Sequence, residues 1–413
     1  MPPYADAPGR PLLPALTGIR FLAALAVFLH HLPRPGWAPA PLATFMASGY
    51  NGVTVFFVLS GFVICLNYAD ALRRPTARAT WNYAVGRLAR IYPLYLAALV
   101  FVVVLTGVGR PDRLPWHLFA VQAWSPDLTV AYAYNAPGWS IGVEFFLYAC
   151  FPALAFALAP IARRPAALWA AGAAVVLALL AVAVWFQASG LDLAPADPDS
   201  AHRWLYRMPL LRLGDFAVGA IAALLFRLSR ERTAGARAPA VRELATWAPA
   251  LAIVGLMCWP GKSAYTPRLD ALWVVPTALL YLGLARHPGA SLSRVLASRP
   301  LVLLGETSFA FYLVHRPLQH AFDAERLVRA SPPRYAVFVV LLVALTAALA
   351  IGLHHVLEVP ARDWLNARLR LPTPVRPPDE AGRRGHPVPA PTQPVPARAP
   401  ARDRAPVPGT RAG

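Results

Sequence analysis

Two residues that could do chemistry lie in the first long apolar run of the chain, residues 15–31. Arg20 and His31 are costly inside a membrane span, and such residues usually face a protein interior or a wet cavity where they serve function. A separation of eleven residues returns an α-helix to within about 20° of the same face, about 16 Å along its axis. His30 points about 80° away from Arg20 and does not share that face. The spacing predicts that Arg20 and His31 mark two ends of a reaction path across the bilayer.

Two further arginines precede the third apolar run. Arg87 and Arg90 are three residues apart and therefore share one helical face. Forked guanidinium groups in that arrangement could clamp a phosphorylated ligand. Spacing alone favours the alternative, in which both arginines are a topology signal that binds lipid headgroups.

An acidic residue lies inside the fourth apolar run. Glu144 follows Ser140 by one helical turn on the same face, and Trp139 stands at the start of this run. A carboxylate close to His31 could fix the tautomer of the imidazole, as a catalytic base requires. The alternative is a structural ion pair between Glu144 and an arginine.

The ninth apolar run carries three polar residues on one face, namely Ser308, Tyr312 and His315. The histidine falls in the same half of the predicted span as His31, although a lone histidine is more often a hydrogen-bonded core residue. Two other features are interpreted as structural. Arg212 and Asp215 form a self-satisfying pair, and the small residues of segment 51–62 allow close helix packing.

Composition indicates a polytopic membrane protein of the all-α class. The chain is 57% hydrophobic and 14% charged, with a mean hydropathy of +0.47, far from the values of a soluble globular domain. About ten apolar runs are long enough to cross a hydrocarbon core of about 30 Å, and each is predicted to be a transmembrane helix. They lie near residues 15–33, 50–68, 91–108, 138–159, 166–187, 208–227, 244–260, 271–286, 300–320 and 334–357.

The charged residues behind the net charge of +19 are distributed unevenly among the connections between these runs. Arginines gather in alternate connections, and the intervening connections carry the acidic residues. The positive-inside rule therefore places both termini and the arginine-rich connections in the cytoplasm. Because the basic excess is topological and no aromatic and basic nucleic-acid motif is present, we expect the bilayer and not nucleic acid as a partner. The expected location is the plasma membrane.

The domain organisation follows from the same patterns. Residues 1–14 are a short N-terminal tail, residues 15–365 are the transmembrane domain, and residues 370–413 are a disordered cytoplasmic tail rich in Pro, Arg and Ala. The first apolar run is expected to be a retained span because it contains an arginine and lacks a cleavage site. Three scattered cysteines in apolar runs indicate neither a disulfide framework nor a metal site.

In their order along the chain, these residues resemble the motifs of the acyltransferase-3 family of integral membrane proteins, over about residues 12–365. The spacing of Arg20 and His31 is similar to the family's signature of an arginine, ten residues and a histidine. Segment 56–62 and the pair Arg87 and Arg90 before Ile91-Tyr92-Pro93 are similar to the second and third blocks. The later blocks are matched by Trp139, Ser140, Glu144, Ser308, Tyr312 and His315.

The resemblance implies transfer of an acyl group, commonly acetyl, from a coenzyme A thioester to a hydroxyl. By this resemblance His31 is the base or acyl relay, supported by Arg20, while Arg87 and Arg90 hold coenzyme phosphates. Glu144 joins the catalytic residues, and Trp139, Ser140, Ser308, Tyr312 and His315 bind substrate or support the site. Acyl-CoA is then a donor substrate, with no tightly bound cofactor.

The resemblance also implies an acceptor that is a sugar, a glycan or a glycosylated metabolite. The segment 17–21 looks more like that of members from antibiotic-producing actinobacteria, including those that acylate macrolides. The chemistry agrees with the residue types, because an alcohol needs a positioned base to take its proton and fixed donors to stabilise the developing oxyanion.

Two other functions fit parts of the sequence. A transporter or exporter could use intramembrane Arg, His and Glu as a proton relay, but inverted repeats with broken helices, which would indicate it, are not found in the sequence. A non-catalytic membrane scaffold could recruit partners through the Pro/Arg tail.

Overall fold

The computed structural model describes residues 13–72, 75–191, 193–232, 238–259 and 270–372. Within these ranges the chain forms α-helices joined by short 3-10 and π-helical turns, without a β-strand. The α-helices are α1 (Pro14–His30), α2 (Ala40–Ser48), α3 (Gly52–Leu72), α4 (Ala77–Thr106), α5 (Leu114–Leu118), α6 (Leu128–Ala131), α7 (Trp139–Leu158), α8 (Pro165–Ala188), α9 (Pro209–Arg232), α10 (Pro239–Cys258), α11 (Ala271–Arg286), α12 (Ser291–Leu296), α13 (Arg299–Glu306), α14 (Ser308–Ala321), α15 (Pro332–Leu353) and α16 (Val359–Leu369).

All ten predicted spans are helical in the structure. Among the described residues, seven helical segments are long and apolar enough to cross a membrane: Ala40–Leu72, Ala77–Leu105, Ala136–Leu158, Pro165–Ala188, Pro209–Arg230, Pro239–Cys258 and Pro332–Leu369. Helices α1 and α11 are apolar but shorter. The ninth predicted span consists of two helices, α13 and α14, that meet at Thr307. The chain is a multi-pass helical membrane protein.

The count of ten crossings and the cytoplasmic side of both termini stay predictions. The predicted tails at 1–14 and 370–413 lie almost entirely outside the described residues, which begin at residue 13 and end at residue 372. One bound differs from its prediction, because α4 begins at Ala77, well before residue 91. Arg87 and Arg90 therefore belong to the same helix as the third apolar run and share its orientation.

Glycines allow two pairs of helices to cross at backbone contact. A Cβ atom on Gly61 of α3 would lie 2.0 Å from a carbonyl oxygen of α9, and one on Gly219 of α9 would lie 2.0 Å from a carbonyl oxygen of α3. This mutual crossing confirms the interpretation of the small residues in the second apolar run. Helices α1 and α13 cross in the same way, because a Cβ on Gly305 would lie 2.0 Å from the carbonyl oxygen of Thr17.

A buried ion cluster ties α3, α9 and the start of α11 together. Arg212 donates to Asp215 at 2.9 Å and also pairs with Asp270. The hydroxyl of Thr54 donates to Asp270 at 3.2 Å. All four residues are buried. The prediction that Arg212 and Asp215 satisfy each other is confirmed, and Asp270, from a distant part of the chain, is a third member of the cluster.

Candidate active site

A cavity of about 310 Å³ lies between α1, α3, α4, α7, α13 and α14. Its lining is mostly apolar, but it brings together six predicted site residues, namely Arg20, Arg87, Arg90, Ser140, Glu144 and Tyr312. We call it the arginine cavity. Arg20 forms no hydrogen bond or ion pair with another residue in the part of the chain that the structure describes. Its guanidinium group is therefore available to a ligand in this cavity.

The two arginines of α4 have different surroundings. The side chain of Arg87 donates to the hydroxyl of Tyr68 at 3.1 Å and lies over the rings of Tyr68 and Tyr148, with its Cζ atom 5.1 and 5.8 Å from their centroids. Aromatic faces hold a guanidinium group without neutralising its charge. Arg90 instead pairs with the buried carboxylate of Glu358.

The contact between Arg90 and Glu358 differs from the expectation that Arg87 and Arg90 act together as a phosphate clamp. Glu358 lies on a π-helical turn, His354–Glu358, between α15 and α16, and it also binds the Nδ1 atom of His354 at 3.0 Å. Because this carboxylate compensates the charge of Arg90, the two arginines are not an equivalent pair. The other two arginines of the cavity are Arg87, which is held by Tyr68 and Tyr148, and Arg20 on the facing helix.

Glu144 lies in the arginine cavity and not beside His31. Its carboxylate accepts a hydrogen bond from Ser60 at 2.9 Å and another from Tyr148. Within the described residues it has no contact with His31, so the expectation that Glu144 fixes the tautomer of this histidine is wrong. The reason is tertiary packing, because α7 presents Glu144 to α3 and to its own next turn.

A second cavity, of about 620 Å³, lies where α1 ends. We call it the histidine cavity because His30 and His31 line it, together with Tyr50, Tyr132, Trp139, His202, Tyr206 and Tyr312. No carboxylate is among its described lining residues. The Nδ1 atom of His30 is 2.8 Å from the carbonyl oxygen of Ala47, so its hydrogen bond is made outside the pair described next.

His31 and His315 form a contact between α1 and α14. The Nδ1 atom of His31 is 2.9 Å from the carbonyl oxygen of Val27 and 3.3 Å from Nε2 of His315. The Nδ1 atom of His315 is 2.6 Å from the carbonyl oxygen of Tyr312. Because a carbonyl oxygen only accepts, both Nδ1 atoms carry the proton and donate. Nε2 of His31 then has no proton, which is the state that a general base needs.

Tyr312 and Val53 line both cavities. The hydroxyl of Tyr312 lies 2.9 Å from that of Ser140 and 3.1 Å from the carbonyl oxygen of Pro137. Ser140 also donates to Pro137 at 2.9 Å. Two of the predicted supporting residues therefore meet at the junction between the cavities, where both donate to the carbonyl oxygen of Pro137.

The remaining predicted residues have supporting positions. Trp139 is buried on the histidine cavity, with its ring 4.8 Å from that of Tyr206. Ser308 is fully buried and donates to the carbonyl oxygen of Gly305 at 2.7 Å. It lines neither cavity among those described, so it supports the turn between α13 and α14 rather than a substrate.

Sequence reasoning missed several residues of the site. Glu358 compensates Arg90, Ser60 binds Glu144, and Tyr50, Tyr206 and His202 build the wall of the histidine cavity. Ser60 lies in a segment with a motif, but Glu358 and His202 have no local pattern that distinguishes them. Among the described residues, no group of three or more His, Cys, Asp or Glu side chains could hold a metal ion.

Comparison with known proteins shows the family of this chain. A sequence profile described as an acyltransferase domain matches residues 13–354. The chain belongs to the acyltransferase-3 family. Acyltransferase MdmB of Streptomyces mycarofaciens is 32% identical over 318 residues, which cover 73% of this chain and 78% of that protein. The resemblance inferred from the motifs is thereby confirmed for the family.

The match covers only about half of the length of two other relatives. The peptidoglycan O-acetyltransferase OatA of Listeria monocytogenes is 24% identical, over 75% of this chain and 50% of its own length. The putative peptidoglycan O-acetyltransferase YrhL of Bacillus subtilis is 26% identical, over 85% of this chain and 55% of its own length. The chain is a membrane acyltransferase, and membership of this family does not favour a transporter. No solved structure matches the chain.

Proposed function

We propose that this acyltransferase moves an acyl group, in the first instance acetyl, from a coenzyme A thioester to a hydroxyl of a sugar or glycan at the plasma membrane. The observation that carries the proposal is the presence of two different cavities that share Tyr312 and Val53. One is lined by apolar side chains with three arginines and two glutamates, and the other by histidines and aromatic rings with one arginine, Arg34. Such a pair suits one anionic donor and one neutral hydroxyl acceptor.

The donor is assigned to the arginine cavity. Its volume of about 310 Å³ is at the lower end of the range for small-molecule sites, so it suits the acyl group and the pantetheine arm rather than a whole coenzyme. The phosphates then bind to guanidinium groups, for which the candidates are Arg87 and Arg20, which both line this cavity. Arg90 has a different role, since its ion pair with Glu358 anchors the π-helical turn against α4.

The acceptor is assigned to the histidine cavity, with His31 as general base. Nε2 of His31 takes the hydroxyl proton while the hydroxyl oxygen attacks the thioester carbonyl carbon. The hydroxyls of Tyr312 and Ser140 turn their protons from the carbonyl oxygen of Pro137 to the thioester carbonyl oxygen and stabilise the negative charge that develops on it. The carbon–sulfur bond then breaks, the thiolate leaves, and it receives the proton held by His31. A glycan acceptor is supported by the names of the two O-acetyltransferase relatives.

The donor assignment is tested with purified protein in lipid nanodiscs. Initial rates of thiol release are measured with acetyl-CoA and with S-acetylpantetheine, which lacks the nucleotide phosphates. Arg87→Ala should raise the KM for acetyl-CoA by about 10- to 150-fold, as expected for losing a hydrogen bond between charged groups. It should leave the kinetics with S-acetylpantetheine unchanged.

A matched control is Arg113→Ala, because Arg113 donates to the carbonyl oxygen of Thr129 outside both cavities. This variant should behave as the wild type with either donor. An equal loss with both donors in Arg87→Ala would refute phosphate binding by this side chain. Absence of thiol release by the wild type, with accumulation of an unmodified solute in vesicles, would refute the proposed function.

A further inference from the structure

His202 occupies a fixed position in the wall of the histidine cavity. It begins a π-helical turn, His202–Arg207, that leads into α9. Its Nε2 atom is 3.3 Å from the hydroxyl of Tyr132. The imidazole ring lies between two aromatic rings, with its centroid 6.1 Å from that of Tyr132 and 5.3 Å from that of Tyr206. These contacts hold one ring nitrogen and leave the other for a different partner.

The second ring nitrogen, Nδ1, is buried and has no hydrogen bond to any residue in the described part of the chain. A buried polar atom without a partner costs about 1–3 kcal/mol, and nearly all such atoms in native proteins are bonded. The mechanism proposed above does not use His202. An atom of this kind on the wall of a binding cavity is explained by a ligand that supplies the missing hydrogen bond.

The wall between His31 and His202 is continuous and aromatic. The ring of His30 is 5.1 Å from that of His31 and 5.5 Å from that of Tyr50, while Tyr50 is 5.3 Å from Tyr206, which adjoins His202. A molecule lying along these rings can reach both His31 and His202. The two histidines differ in the ring nitrogen that has no hydrogen bond to a described residue, which is Nε2 in His31 and Nδ1 in His202.

We infer that His202 determines acceptor specificity by hydrogen bonding, through Nδ1, to a second hydroxyl of the acceptor while His31 acts on the first. This inference rests on the proposed function, and it restricts the acceptor to polyols. A hydroxyl both donates and accepts, so it can satisfy Nδ1 in either tautomer of the ring. The contact selects which hydroxyl of a polyol reaches His31.

The test compares two acceptors, methyl β-D-glucoside as a polyol and ethanol as an alcohol with a single hydroxyl, with acetyl-CoA as donor. His202→Gln keeps an amide near the position of Nε2 for Tyr132 but removes the group at Nδ1. His202→Asn keeps a polar group near Nδ1. His320→Gln is the matched control, because His320 is exposed and lines neither of the two cavities. The readout is kcat/KM for each acceptor, with the acylated position located by mass spectrometry and NMR.

His202→Gln should lower kcat/KM for the glucoside by about 5- to 150-fold, because a buried polar group of the bound acceptor loses its partner. Its kcat/KM for ethanol should not change. His202→Asn should recover most of the glucoside activity and acylate the same hydroxyl as the wild type. His320→Gln should match the wild type with both acceptors.

Other outcomes overturn the inference in distinguishable ways. If His202→Gln lowers kcat/KM equally for the glucoside and for ethanol, His202 has a structural role and does not determine specificity. If kcat/KM falls for neither acceptor, His202 has no role in acceptor binding. A wild type that uses both acceptors with equal efficiency would leave the proposed function standing but refute a second contact. A wild type that uses ethanol alone would refute the second contact and also the proposed sugar or glycan acceptor. A wild type that transfers acetyl to neither acceptor would refute the proposed function itself.

Discussion

The contact between His31 and His315 gives a quantitative prediction about catalysis. In the structure His31 donates through Nδ1 to Val27 and toward Nε2 of His315, while His315 donates to Tyr312. His315 therefore acts on His31 as a hydrogen-bond acceptor and is a positioning residue. Substitution of His315 should lower kcat only by the factor that corresponds to the free energy of one hydrogen bond. Substitution of His31 should remove the general base itself.

The two substitutions should differ in how much they lower kcat. Loss of a general base costs about 10²- to 10⁴-fold in rate, which is the range expected for His31→Ala. One neutral hydrogen bond contributes about 0.5–1.5 kcal/mol, which corresponds to about a two- to twelvefold loss in kcat. His315→Asn should show this smaller loss, because the amide reaches the position of Nδ1 and not that of Nε2. His315→Gln places an acceptor near Nε2 and should stay close to the wild type.

The assay is thiol release at saturating acetyl-CoA and methyl β-D-glucoside, with thermal unfolding of each variant as a check on folding. The order of kcat should be wild type, His315→Gln, His315→Asn and His31→Ala. If His315→Asn loses as much as His31→Ala while remaining folded, His315 is itself a base and the assignment of tautomers is refuted. If His31→Ala keeps wild-type turnover, the role of His31 is refuted.

Two predictions concern stability. Gly305→Ala places a Cβ atom 2.0 Å from an α1 carbonyl oxygen and should destabilise the fold by about 1–3 kcal/mol, measured as a lower melting temperature by tryptophan fluorescence. Gly352→Ala, where nothing lies within 4 Å, is its control, and equal melting of both variants would contradict the close crossing. Arg212→Met leaves Asp215 and Asp270 buried without a cation and should cost about 3–5 kcal/mol. Adding Asp215→Asn should restore part of that loss, and no recovery would argue against the ion cluster.

The sequence predicted the helices well because the signals that define them are local. Apolar runs of sufficient length marked all ten helical spans, and the spacing of Arg212 and Asp215 predicted an ion pair within one helix. The small residues of segment 51–62 predicted a close crossing without naming the partner helix. Each of these features depends on residues a few positions apart, where helical geometry fixes the distance.

The contacts between helices were predicted less well, for a physical reason. Helical phase gives the direction of a side chain relative to its own axis, but not which neighbour it meets. Glu144 therefore seemed a partner for His31 until the packing of α7 on α3 joined it to Ser60. In the same way, Arg90 pairs with Glu358, which lies on a π-helical turn. No periodic pattern in the sequence predicts that turn.

The position of Tyr312 limits how far the acyl group must travel in the proposed reaction. Helix α1 carries Arg20 in the arginine cavity and His31 in the histidine cavity, separated by eleven residues, or about 16 Å of helix. Tyr312, on α14, lines both cavities, and His315 lies one turn further along the same helix. A thioester whose phosphates stay near Arg87 therefore needs to bring only its carbonyl group to Tyr312. In the proposed reaction, the pair of residues in the first apolar run therefore marks the two ends of a path, and the acyl transfer is placed near the His31 end.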